Sequence, residues 1–287
     1  MNKLLSLVAM VLSGVAIFLA SRGQTFSRVD AGGPVLRLLM AGSGNSTVVF
    51  ESGAGSPLET WLRVQPAVSK FAKTISYDRA GNGLSKQGPV PRDGRRIATE
   101  LHTALHNAHA APPYILVGHS LGGPYIRIFA GVYPDEVAGL VLVDPTQEDL
   151  IAWAKARDPK PSGEHKFRPD DEVDCAPATF AQAQENPIPT NVPVFLITGI
   201  GPRVIPGFVP KELREELQQD RKIFYPAKLK FHRKWVETIP GGQLIVTENS
   251  GHGIPFEEPE LVIQTIREVV NRPRLANVSG AVDVHGR

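Results

Sequence analysis

The residues best suited to chemistry sit in the hexapeptide Gly118-His119-Ser120-Leu121-Gly122-Gly123. It follows the apolar run Tyr114-Ile115-Leu116-Val117 and precedes a helical pattern from Pro124 to Tyr133. A G-x-S-x-G sequence at a strand-to-helix junction reads as a nucleophile elbow, with the serine on a strained turn and glycines on either side where a Cβ would clash. Such a turn lifts Ser120 Oγ clear of the sheet and aims the first N–H groups of the following helix at developing negative charge. A serine hydroxyl is a weak nucleophile and needs a base. The run Gln243-Leu244-Ile245-Val246 leads into Ser250-Gly251-His252-Gly253, so His252 follows the last strand, where a general base for Ser120 belongs. Two backbone donors are then expected for an oxyanion: the Leu121 N–H, directly after the nucleophile, and the Ala54 N–H in the loop Glu51-Ser52-Gly53-Ala54-Gly55-Ser56. That loop does not read as a phosphate cradle, because no Gly-Lys-Ser/Thr follows it and no later acidic residue suits a dinucleotide ribose.

Other residues with chemical potential have plainer readings. His102 and His106 share a helix face in the amphipathic stretch 95–108, with His109 just beyond, but no H-E-x-x-H arrangement accompanies them, and they read as a solvated face. Asp78, in Asp78-Arg79-Ala80-Gly81-Asn82-Gly83-Leu84-Ser85, precedes the nucleophile in the chain and reads as part of a structural loop. Cys175 is the only cysteine, which excludes an internal disulfide and a cysteine-rich zinc site.

These residues need a scaffold, and the sequence supplies an alternating one. Strands are expected at 35–40, 47–50, 74–77, 114–117, 139–143, 192–199 and 243–246, the run Gly139-Leu140-Val141-Leu142-Val143 being apolar throughout, as suits a parallel strand covered on both faces. Helices are expected at 61–71, 95–108, 124–133, around 211–224 and 228–238, and at 257–270. Between Thr146 and about Asn191 the texture turns to charge and proline without a sheet pattern, which reads as a small, loosely helical cap. The 287 residues, 42% hydrophobic, can bury a full core, and one domain over 23–271 is expected, with a frayed tail at 272–287. The net charge of +2 leaves no electrostatic footprint for nucleic acid. Lys3 precedes an uncharged apolar run from Leu4 to Ala20, so residues 1–22 read as a targeting segment, either a cleaved signal or a membrane anchor, and export is expected, to a secreted or periplasmic location or held at the membrane.

Taken together, Glu51-Ser52-Gly53-Ala54-Gly55, the Tyr77-to-Ser85 stretch, Gly118-to-Gly123, Leu142-Val143-Asp144 and Ser250-Gly251-His252 resemble the α/β-hydrolase superfamily, and in particular its single-domain bacterial serine hydrolases related to esterases and lipases. The resemblance implies an α/β fold with a mainly parallel eight-stranded sheet, helices on both faces, a Ser-His-acid triad and no cofactor. One departure stands out: Ile200-Gly201-Pro202-Arg203 offers no carboxylate where many members carry the acid. Other members take it from the preceding parallel strand, and Asp144 stands at that strand end, with Glu148 and Asp149 in reserve. The expected activity is hydrolysis of a small-molecule carboxylic ester through an acyl-enzyme. The same triad could serve an acyltransferase or perhydrolase, and a non-catalytic ligand-binding member of the fold is the remaining alternative.

Overall fold

The structure, a computed structural model, describes residues 23–157, 171–201 and 211–272. The expected targeting segment at 1–22, part of the cap and nearly all of the expected tail lie outside these residues. No helix among the described residues is long and apolar enough to cross a membrane.

Eight strands form one sheet: β1 (Gln24–Asp30), β2 (Val35–Ala41), β3 (Thr47–Glu51), β4 (Lys73–Asp78), β5 (Tyr114–His119), β6 (Val137–Val143), β7 (Val194–Gly199) and β8 (Gln243–Thr247), in the order β1-β2-β4-β3-β5-β6-β7-β8. β2 pairs antiparallel with both β1 and β4, and every pairing from β4 across to β8 is parallel. The sequence reading expected seven of these strands and missed β1. Its QTFSRVD pattern buries only Gln24 and Val29, because it is an edge strand with no further strand beyond it among the described residues.

The central strands show why a parallel sheet reads as unbroken apolar runs: alternate residues enter separate cores on the two faces. Leu140 and Leu142 of β6 join Leu116 of β5 in one core with Ala98, Leu101 and Leu105 of α1 (Gly94–Asn107) and Phe129 of α2 (Gly122–Val132). Val141 and Val143 turn the other way, with Ile115 and Val117, against Trp61, Val64 and the C-terminal helix at Pro259–Asn271. The expected helix at 61–71 is present only as short pieces, a 3-10 turn at Leu58–Trp61 and a helical turn at Gln65–Val68. Pro66 at the start of the second turn leaves no N–H to bond back to the first.

Within the expected cap, the described residues contain α3 (Glu148–Arg157) and α4 (Ala176–Glu185). Beyond β7, the two expected helical pieces are a single helix, α5 (Lys211–Val236), which carries Pro226 within it. The last helix among the described residues is α6, the Pro259–Asn271 helix already placed on the sheet. Parallel strands β5 and β6 end on the same side, where a doubly covered sheet presents its binding crevice.

Candidate active site

At the end of β5 the backbone turns sharply into α2, and Ser120 takes φ +54°, the left-handed conformation of a strained turn. The flanking glycines are required by contact. A Cβ on Gly118 would come 2.6 Å from the Gly122 carbonyl oxygen, and one on Gly122 would come 2.5 Å from that of Glu51. The turn is pinned from the neighbouring strand, since Ser120 N–H donates to Val143 at 3.1 Å and the Ser120 carbonyl accepts from Thr146 at 2.9 Å.

The structure brings Ser120, His252 and Asp144 into one hydrogen-bonded chain. His252 Nδ1 lies 2.7 Å from Asp144 Oδ2, and its Nε2 lies 3.0 Å from Ser120 Oγ. A carboxylate only accepts, so Nδ1 carries the proton and Nε2 is the acceptor that faces the serine hydroxyl. Asp144, with φ +42° just past β6, is almost fully buried. Beyond His252 it accepts from Gly199 N–H at 3.0 Å, and Lys228 Nζ of α5 reaches Oδ1 at 2.8 Å and Oδ2 at 2.9 Å. Burial alone would raise this carboxyl, but the His252 hydrogen bond and the Lys228 ammonium outweigh it and hold it well below the usual carboxylate range.

The reserve acids point elsewhere. Glu148 forms a two-pronged pair with Arg127, at 2.9 and 3.0 Å, which ties the start of α3 to α2, and Asp149 receives the Gln147 amide at 3.3 Å. Asp78 is wholly buried and accepts from Leu58 N–H, Leu84 N–H and Arg37, organising its own loop. His102 is not merely solvated: its Nε2 lies 3.0 Å from Glu136 Oε1, and its ring stacks on Tyr133. No group of three or more His, Cys, Asp or Glu among the described residues could hold a metal.

Leu121 follows Ser120 directly and caps α2, and Gly53, next to Ala54 in its loop, packs so close that a Cβ on it would stand 3.2 Å from Ser120 Cβ. The N–H groups of Leu121 and Ala54 find no acceptor among the described residues. A cavity of about 300 Å³ is lined by Ser120, Asp144, His252 and Lys228 together with Leu150, Ile151, Phe224 and Tyr225. Half of its apolar wall comes from the expected cap. The other half comes from α5, whose part in the site the sequence did not reveal.

Sequence reasoning also missed four residues that support this chain. His119, in the elbow itself, donates Nε2–H to the His252 carbonyl at 2.8 Å, and burial together with the adjoining His252 pushes its imidazole down to about 4, so it is a neutral prop. His232 of α5 donates to the Pro145 carbonyl and accepts from Thr198, and burial pushes it down to about 4 as well. Lys228 and His232 lie four residues apart on one face of α5, a pattern that names a shared face but not the carboxylate 84 positions upstream. The fourth, Arg79, is buried beneath the Ala54 loop, in ion pairs with Glu51 and Glu172.

Comparison with known proteins agrees with this architecture. Residues 46–171 match the family model described as alpha/beta hydrolase fold. Among curated proteins, the uncharacterized protein YqjL of Bacillus subtilis (strain 168) is 35% identical over 112 residues, 39% of this chain and 44% of that protein. The match thus spans less than half the length of that relative. Among solved structures, a membrane phospholipase A described as a bacterial virulence factor superposes with a TM-score of 0.58 at 19% identity, covering 94% of this chain and 96% of that one. The carboxylesterase CesB (YbfK) from Bacillus subtilis gives 0.56 at 17% identity over 86% and 92%. At such identities these structures speak to the fold alone. With its sheet order, its strand-elbow-helix junction and the matched segment 46–171, the chain has the alpha/beta hydrolase fold.

Proposed function

We propose that the protein is a serine hydrolase that cleaves carboxylic esters through an acyl-enzyme. The observation that carries this reading is the continuous chain from Asp144 through His252 to Ser120 Oγ, ending beside an apolar cavity. In the first half-reaction, Ser120 Oγ attacks the ester carbonyl while His252 Nε2 takes its proton. Asp144 fixes the tautomer and stabilises the imidazolium without itself being protonated. The N–H groups of Leu121 and Ala54 receive the oxyanion, each such donor being worth about 3–4 kcal/mol of barrier. Imidazolium then returns the proton to the departing alkoxide, leaving acylated Ser120 and free alcohol. A water molecule, deprotonated by the same imidazole, repeats the sequence and releases the acid. The His252 side chain is 52% exposed, so water reaches the base, which favours hydrolysis over transfer to another acceptor.

The cavity suggests the substrate's size. About 300 Å³ walled by Leu150, Ile151, Phe224 and Tyr225 accommodates an apolar group of roughly ten heavy atoms, at ~30 Å³ for each water-sized group. Hydrolysis of p-nitrophenyl esters across acyl lengths tests both statements. Rates that peak at medium length and vanish in Ser120→Ala support the reading, whereas Ser120→Ala that turns over esters at the wild-type rate refutes it.

A further inference from the structure

The charged cluster beneath the Ala54 loop is almost fully buried. Arg79 is 1% exposed, and five hydrogen bonds fix its guanidinium. Nη1 meets Glu51 Oε1 and the Ser52 carbonyl, Nη2 meets the Gly53 carbonyl and Glu172 Oε2, and Nε meets Glu172 Oε1. Glu172 comes from the cap, 93 residues away in the chain, and its Oε2 also accepts the Gly55 N–H at 3.2 Å. Tyr77 donates to Glu51, and the Asn82 amide donates to Glu172, so each carboxylate has a second partner. Burial pushes the Glu51 carboxyl up, while Arg79 overcomes burial at Glu172 and holds that one below its usual range. Burying two carboxylates and a guanidinium returns little net stability, because desolvation offsets most of the attraction.

What the cluster does fix is the direction of two peptide units. A trans peptide is planar with its C=O and N–H antiparallel. Arg79 draws the carbonyls of Ser52 and Gly53 to itself, so the N–H groups of Gly53 and Ala54 point away from it. The same stretch of loop abuts Ser120. We propose that Arg79 and Glu172 are positioning residues that orient the Gly53–Ala54 peptide for the oxyanion, and that the cap segment bearing Glu172 thereby completes the site. This rests on the serine-hydrolase reading. Glu172 holds the latch from the cap side, since it grips both the guanidinium and the next N–H of the loop. Without Glu172, Arg79 loses two of its five bonds and Gly55 loses its acceptor, and the Gly53 carbonyl is left with the loosened guanidinium and the Ser56 N–H at 3.2 Å.

The test compares wild type, Glu172→Ala, Glu172→Gln, Arg79→Lys and Ser120→Ala on one p-nitrophenyl ester, with thermal unfolding of each and with inhibition by an arylboronic acid, which forms a tetrahedral adduct on the serine. Removing a whole oxyanion donor costs about 100- to 1,000-fold in kcat. A donor left in place but no longer held is expected to cost about 10- to 100-fold in Glu172→Ala, with KM within about threefold, and boronate affinity is expected to fall in step with kcat. Glu172→Gln, which keeps an acceptor for Gly55, is expected to recover part of that loss. Arg79→Lys should behave like Glu172→Ala, because one ammonium cannot span both carbonyls and both carboxylates. Glu172→Ala that unfolds at a lower temperature yet keeps kcat and boronate affinity overturns the latch and leaves a structural ion pair. A loss confined to KM overturns it equally. If ester turnover survives in Ser120→Ala, the serine-hydrolase reading falls and the latch falls with it.

Discussion

Asp144 carries more donors than a triad acid needs to hold one imidazole. Two come from Lys228, whose ammonium is one of the two influences that keep the carboxyl ionised against burial. In Lys228→Met that influence is gone and the Asp144 carboxyl should rise, so kcat/KM should fall at the acid end of its profile, below about pH 5, and change little near pH 8. An unchanged acid end in a folded variant would mean that Lys228 is a packing residue. Asp144→Asn should lose about four orders of magnitude in kcat with the fold intact, because an amide donor at Nδ1 enforces the wrong tautomer. Near-normal turnover would move the acid to another residue.

Among the elements, the β5–α2 elbow and the loop after β3 form a single packed unit. A Cβ on Gly122 would come 2.5 Å from the Glu51 carbonyl and 2.7 Å from that of Ser52. Gly122→Ala must therefore push the Ala54 loop away from Ser120. It should lower stability by about 1–3 kcal/mol, as overpacking does, and cut kcat more than stability alone explains. Equal kcat in a protein with unchanged unfolding temperature would contradict the contact. Arg127→Met offers a contrast: it frees the start of α3, whose Leu150 and Ile151 wall the cavity, so it should raise KM several-fold and leave kcat within about threefold. The elbow and the His252 loop were legible in sequence because their chemistry is local: glycines, serine and histidine stand within a few residues of the turns that use them. Lys228, Arg79 and Glu172 were not, because each acts on a partner more than 25 positions away; Lys228 and Glu172 lie in no motif, and Arg79, inside the Tyr77-to-Ser85 stretch, reads there only as part of a structural loop. Strand β1 escaped for a different reason, since an edge strand has no second neighbour and lacks the apolar run that marks β6.

Over the whole molecule, two buried neutral histidines make stability depend on pH. His119 and His232 are held down to about 4, below the ordinary value near 6.5, so the unfolded chain binds more protons than the native one between those limits. Stability should fall as pH drops from 6.5 toward 4, at roughly 3 kcal/mol for each histidine, and this contribution should level off below that. Asp144, Glu148 and Glu172, all held below their usual values, add a further loss under about pH 4.5, whereas Glu51, raised by burial, takes up its proton in the native state above that pH and offsets part of the histidine loss. Urea unfolding between pH 4 and 8 checks the slope, and a flat profile would mean that neither imidazole is buried neutral. The fold itself followed from the alternation of apolar runs with helical patterns, whereas the cavity depends on how α3 and α5 meet above the sheet, which no local pattern encodes. The central claim concerns one oxygen atom, Ser120 Oγ, and is tested most directly by quenching the protein during turnover of a slowly deacylating p-nitrophenyl ester and mapping the adduct by peptide mass spectrometry. The account predicts one acyl group per chain, on the peptide containing Ser120 and absent from Ser120→Ala. A folded, active protein whose acyl group sits on another residue, or that turns over with no covalent adduct at all, would contradict it.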